Sequence, residues 1–169
     1  MLFRSRRSLE LLLHRVGRTL IPIGGSRWTS GYRDDIVEAL SADRWSALPL
    51  MDRAVLTLVL IHSVAIPRSR GGLDADTWTS THPTSADEIF RYSRLPREEA
   101  HAALGRLRAA GLVQNERRKG GGYVPGPQFW RLTPAARRRL QEELILAAGP
   151  DSPLAAAIRF RRTHQRGDR

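Results

Sequence analysis

Cysteine is absent from this chain of 169 residues, which excludes a disulfide scaffold, a thiolate zinc site and a cysteine nucleophile. Long apolar runs are missing too. The longest, Ala54 to Ile61 with Thr57 inside it, has 8 residues, against the roughly 20 a bilayer-crossing helix needs, so no membrane span is expected. The five histidines (14, 62, 82, 101, 164) are scattered without ligand spacing, so neither a metal nor a cofactor is expected, and His62 reads as core. Gly120, Gly121 and Gly122 lack the following Lys-Ser/Thr of a phosphate loop. No nucleophile, base and orienting group can be assembled from neighbouring positions, and the expectation is a protein that is not an enzyme.

Acid is scarce relative to base. Twenty-seven arginines and the single lysine Lys119 face 17 carboxylates, for a net charge of +11, a balance that favours a polyanionic partner. The excess is uneven: residues 1–33 carry +6, residues 34–66 carry −3, and residues 115–134 and 151–169 carry +3 each. The commoner fate of terminal charge runs is solvation, which leaves the two ends open between contact surface and solvated tail. Leu9 to Leu13 after an arginine-rich start faintly resembles a secretory signal, but Glu10, His14, Arg15 and Arg18 interrupt it. Export is therefore not expected, while the arginine-rich, acid-poor start leaves an organellar presequence open.

The length corresponds to about one domain with decorations. Leu9, Leu12, Leu13, Val16 and Leu20 recur at helical spacing and predict a basic amphipathic helix ended by Pro22 and Gly24-Gly25. A short helix is expected over 34–40, and a largely apolar core helix from Leu50 to Ala65. Pro67 to Pro83 has the composition of a flexible surface loop. Ser85 and Glu88 have capping-box spacing before a helix over 86–92. Pro96, with Glu98 and Glu99 in the first turn, opens a helix to Ala110 that Gly111 stops. An extended segment from Val113 to Arg118, a glycine turn and a partner strand over 128–132 should follow, then a helix capped by Thr133-Pro134 and running to Ala148, and a basic tail. The four tryptophans (28, 45, 78, 130) read as core fillers rather than as a ligand pocket.

The run Leu104-Gly-Arg-Leu107-Arg-Ala-Ala-Gly111-Leu-Val113, followed by Trp130-Arg-Leu-Thr133-Pro134, resembles the winged helix-turn-helix regulators, most closely the MarR-like group. The resemblance covers about residues 50–148. It implies a mainly α protein with a small β-hairpin wing and additional N- and C-terminal helices, in which 96–110 is the recognition helix for the major groove and 114–128 the wing on the backbone or minor groove. Residues 1–49 are then a basic helical extension and 149–169 a basic tail. Two departures stand out: Glu116-Arg117-Arg118 matches the family's acid-then-arginine wing only loosely, and the recognition helix begins with Glu98 and Glu99 rather than with cations or amides.

From the residues alone, Ala100, Ala103, Leu104 and Leu107 share one helical face that must be buried. The opposite face carries Glu98, His101, Ala102, Gly105, Arg106 and Ala109. That strip of small residues would let the backbone lie near bases while Arg106 reached a guanine edge, Arg97 or Arg108 gripped phosphate, and Glu98 accepted from cytosine, with Arg94 also counted among the DNA-binding residues; the alternative is that it packs against another protein helix. Arg117, Arg118 and Lys119, with Arg131 on the return strand, would give the wing its phosphate contacts; the alternative is solvated hairpin charge. The expected function is sequence-specific double-stranded DNA binding by a bacterial, cytoplasmic, nucleoid-associated homodimer that acts as a transcription regulator. A winged-helix scaffold in a nucleoprotein complex, or a plasmid or phage replication or partition protein, are the rivals. Nothing in the sequence supports a small-molecule effector.

Overall fold

The computed structural model describes residues 6–42, 48–74, 78, 80–116 and 121–167. Trp45, Arg117, Arg118 and Lys119, all singled out above, lie outside them. The described chain is mainly helical with two separate antiparallel hairpins.

Helix α1 (Arg6–Arg15) is followed by strands β1 (Arg18–Pro22) and β2 (Trp28–Tyr32), paired with Leu20 opposite Ser30. The helix expected to reach Leu20 therefore stops at Arg15. Val16 and Leu20 fall at helical spacing by coincidence, while Thr19, Ile21, Thr29 and Tyr32 are strand formers on either side of a Gly24-Gly25 turn. Ile21 is the buried anchor of this hairpin. Gly31 permits its docking: a Cβ there would lie 2.0 Å from the carbonyl oxygen of Arg131. Helix α2 (Asp34–Ala42) begins directly after β2. Its Asp34 Oδ1 accepts 2.8 Å hydrogen bonds from Thr133 Oγ1 and Arg139 Nη2, which ties the N-terminal elements to the far end of the chain.

A continuous helical rod runs through α3 (Leu50–Leu60), a π-helical turn (Ile61–Ala65) and α4 (Ile66–Ser69). At twenty residues it is long and apolar enough to cross a membrane by length and composition, yet it is the spine on which both core clusters pack. The rod passes through Pro67, where a loop was expected to start. Proline removes the hydrogen bond that the carbonyl four residues earlier would receive; that carbonyl, on Ser63, accepts instead from the hydroxyl of Ser80. The segment thought to be a surface loop thus returns to the core, with Trp78, Ser80 and Thr84 buried and Trp78 stacked on Phe129.

Helix α5 (Ala86–Arg91) opens with the expected capping box: Ser85 Oγ accepts from the Glu88 N–H, and the Glu88 carboxylate accepts from the Ser85 N–H. Helix α6 (Arg97–Ala109) ends where expected, because Gly111 takes a φ of +69° that other residues adopt at a cost. Strands β3 (Val113–Glu116) and β4 (Gly122–Pro125) pair antiparallel as a hairpin. The return strand expected at 128–132 is instead a 3-10 turn (Pro127–Arg131). Pro125 closes the ladder opposite Val113 and, like Pro127, has no N–H to donate, so the pairing goes no further.

Val55, Val59, Ile89, Ala100, Ala103, Leu104, Leu107 and Val113 form one core cluster between α3, α5, α6 and β3. Leu60, Val64, Trp78, Phe129 and Leu144 form the second. Leu56 and Leu112 pack against both and join them. Each buried Val, Leu or Ile contributes roughly 1.5–3 kcal/mol of transfer free energy.

Helix α7 (Pro134–Ala148) is capped by Thr133, whose Oγ1 accepts from the Ala136 N–H. The stretch read as a basic tail is helix α8 (Pro153–Gly167), folded back on α7 with Ala155 and Ile158 buried. Arg161 pairs with Glu142, and Arg162 bridges Glu142 and Glu143 at 3.0 and 2.8 Å.

Candidate nucleic-acid interface

Helix α6 lies across α3 because its apolar positions recur at i, i+3, i+4 and i+7. Ala100, Ala103, Leu104 and Leu107 are each no more than 1% exposed, the stripe expected to be buried. The rest of the helix faces outward, and Glu98, Glu99, His101, Ala102, Gly105, Arg106, Arg108 and Ala109 are all exposed. A Cβ built on Gly105 would meet nothing within 4 Å, so a flat surface can come close to the backbone there.

The polar side chains named for this face are less free than the sequence implied. Arg97 lies over the Phe90 ring at 5.1 Å, and His101 meets the same ring edge-on at 5.1 Å. Both therefore stand on a shelf provided by α5. Arg106, expected to reach outward to a base, instead turns one edge of its guanidinium to Asp52 at the start of α3, with Nε 3.1–3.2 Å from both carboxylate oxygens and Nη2 2.6 Å from Oδ1. That hydrogen bond, opposed by some desolvation and helped by the carboxylate's charge, raises the Arg106 pKa further above its ordinary value. Glu98 and Arg108 are exposed on α6, and Arg94 is exposed in the turn before it.

Beside this helix stands the β3–β4 hairpin. Thr84 joins it as a single-residue third strand, its N–H donating to the Tyr123 carbonyl at 2.9 Å while the Tyr123 N–H donates to the Thr84 carbonyl at 2.8 Å. The hairpin is thereby fixed to the segment leading into α5. Arg131 does not lie on a return strand. It ends the 3-10 turn and is exposed, with its carbonyl against β2.

The chain matches no protein-family model, and no curated protein is similar to it. Asp52 is the residue the sequence reading missed, and a signal for it exists: position 52 shares the i, i+3, i+7 stripe of Val55 and Val59, where a carboxylate needs a partner. Phe90, next to the buried Ile89, went unnoticed because its role is visible only from α6. Among the described residues no three His, Asp or Glu side chains are grouped to hold a metal ion. His62, expected in the core, is half-buried and stacked on Tyr92 at 4.9 Å. Trp28 is 40% exposed beneath the Arg6 guanidinium, and Trp130 is half-buried, so of the three described tryptophans only Trp78 is fully buried.

Proposed function

We propose that the protein binds double-stranded DNA as a winged helix-turn-helix transcription regulator of MarR-like type. The single observation that carries the reading is the joining of a helix–turn–helix, α5 and α6 packed on α3, to a hairpin held beside it through Thr84 and Tyr123. The chain is strongly basic, the outer surface of α6 carries small residues, and the sequence between β3 and β4 contains Arg117, Arg118 and Lys119. Helix α6 would enter the major groove, Arg94, Arg97 and Arg108 would hold phosphates, and the hairpin tip would meet the backbone or minor groove.

A homodimer is part of the proposal, formed through exposed apolar side chains of the terminal helices. The apolar side of α7 is used within the chain, where Leu144 is buried and Leu140 packs on the second cluster. Among the exposed apolar side chains are Leu11, Leu12 and Val16 near the N-terminus and Leu154 and Phe160 on α8. The test is a titration against random-sequence duplexes at two salt concentrations, sequencing what stays bound at the higher salt. Enrichment of an inverted repeat supports a dimeric sequence-specific regulator; absence of binding at both salts overturns the DNA reading.

A second reading has its own observation. The centre of the exposed α6 face is Glu98, Ala102, Gly105 and Ala109, a surface without a cation, which suits a protein helix as a partner in a nucleoprotein complex. Arg117→Ala with Arg118→Ala separates the two: a DNA binder loses affinity for every sequence, and a scaffold keeps its partner.

A further inference from the structure

Asp52 is an expensive residue to bury. Its side chain is 4% exposed in the core-facing stripe of α3, and its carboxylate is met by one cation, Arg106. An apolar residue in its place would fill the same space without desolvating a charge, and such replacements of buried ion pairs are often neutral or stabilising. The pair is also lopsided, because the Arg106 side chain remains 52% exposed.

The guanidinium is planar and has two edges able to make paired hydrogen bonds. Asp52 takes the Nε–Nη2 edge. The Nη1–Nη2 edge is left, and Nη1 has no hydrogen-bond partner among the described residues. Arg106 stands four residues after Ala102 and three before Ala109, so its neighbours along the exposed surface are methyl groups and the bare Gly105. Nothing on α6 screens the free edge.

We infer that Asp52 is a positioning residue which holds Arg106 so that its free Nη edge meets the N7 and O6 acceptors of one guanine in the major groove; this rests on the DNA-binding reading above. Two parallel donors facing two acceptors are the geometry by which arginine distinguishes guanine from other bases. Much of the rotamer freedom that a long side chain surrenders on binding is already lost in the free protein, and that favours a fixed, bidentate contact over a loose phosphate contact. The same free edge fits two phosphate oxygens, and the experiment separates them.

Duplexes selected by the intact chain are re-measured with each guanine replaced in turn by 7-deazaguanine, for the wild type, Asp52→Asn and Arg106→Lys. The wild type should lose roughly 10- to 100-fold affinity at one guanine per half-site, the range expected for one good bidentate pair. Asp52→Asn should shrink that penalty several-fold while keeping binding to unselected duplex. Arg106→Lys keeps a cation beside Asp52 and should abolish the penalty. Circular dichroism on both variants confirms that they are folded, and Arg106→Lys alone decides the matter if Asp52→Asn is not. The inference fails if no guanine shows a penalty, if Arg106→Lys weakens all duplexes equally as a phosphate contact would, or if folded Asp52→Asn keeps the full penalty. Failure of the wild type to bind any duplex overturns the DNA reading itself and this inference with it.

Discussion

Arg106 and Asp52 show why two partners in one ion pair carry different structural weight. Removing the arginine strands a buried carboxylate, whereas neutralising the carboxylate leaves a half-exposed guanidinium that water can solvate. Arg106→Ala should therefore lower the thermal unfolding midpoint more than Asp52→Asn, and equal losses in a calorimetric comparison would refute the asymmetry. Arg33 offers a pH-dependent case. Desolvation pushes the Asp35 carboxyl up, but the Arg33 hydrogen bond and charge outweigh it and leave the pKa below its ordinary value. A carboxyl depressed in the folded state stabilises the fold above its unfolded pKa, about 3.9, and the contribution fades as pH falls through the lower folded value. Arg33→Gln should return the Asp35 titration toward the ordinary range, followed by the carboxyl carbon shift in NMR. Sequence alone exposes such pairs unevenly: Arg33 and Asp35 are two residues apart, but Asp52 and Arg106 are 54 apart and meet only when α6 crosses α3.

At the scale of elements, local grammar was legible wherever the chain carries its own stop and start signals. Ser85 with Glu88, Pro96, Gly111 and Thr133-Pro134 each mark a boundary within a residue or so of the observed one. The misreadings share a cause, since long-range packing decided the outcome. Arg18 to Leu20 pairs with β2 rather than extending α1. Residues 153–167 looked like a solvated tail because the carboxylates that Arg161 and Arg162 meet lie on α7. The Arg162 pKa is raised chiefly by its hydrogen bond to Glu143, against some desolvation and with Glu142 assisting. Pro67 looked like a helix stop because the Ser80 hydroxyl that compensates for it lies thirteen residues further on. That compensation is testable. Ser80→Ala leaves the buried Ser63 carbonyl without this donor and should cost about 1–3 kcal/mol in chemical denaturation. A loss well below that range would mean the carbonyl is satisfied in another way.

For the whole molecule, net charge overstates what a polyanion would meet. Binding to a duplex releases counterions in proportion to the phosphates neutralised, so the salt slope counts cations that come free to the interface. Several arginines are already committed within the fold: Arg6 to Glu10 and Trp28, Arg18 to the Tyr32 ring, Arg139 to Asp34, and Arg161 and Arg162 to Glu142 and Glu143. Arg161 and Arg162 contribute little new positive field, because each lies against a carboxylate. The exposed Arg94, Arg97 and Arg108, the free edge of Arg106, and Arg117, Arg118 and Lys119 between β3 and β4 are the cations this reading assigns to the contact. Two double variants should part accordingly. Arg117→Ala with Arg118→Ala should lower the slope of log affinity against log salt by about 2, roughly one per lost phosphate contact. Arg161→Gln with Arg162→Gln should leave that slope nearly unchanged while loosening α8 from α7, visible as faster amide exchange at Ala155 and Ile158. The opposite pattern, a flattened slope from the α8 variant and none from the hairpin variant, would move the interface from the hairpin to the C-terminal helices.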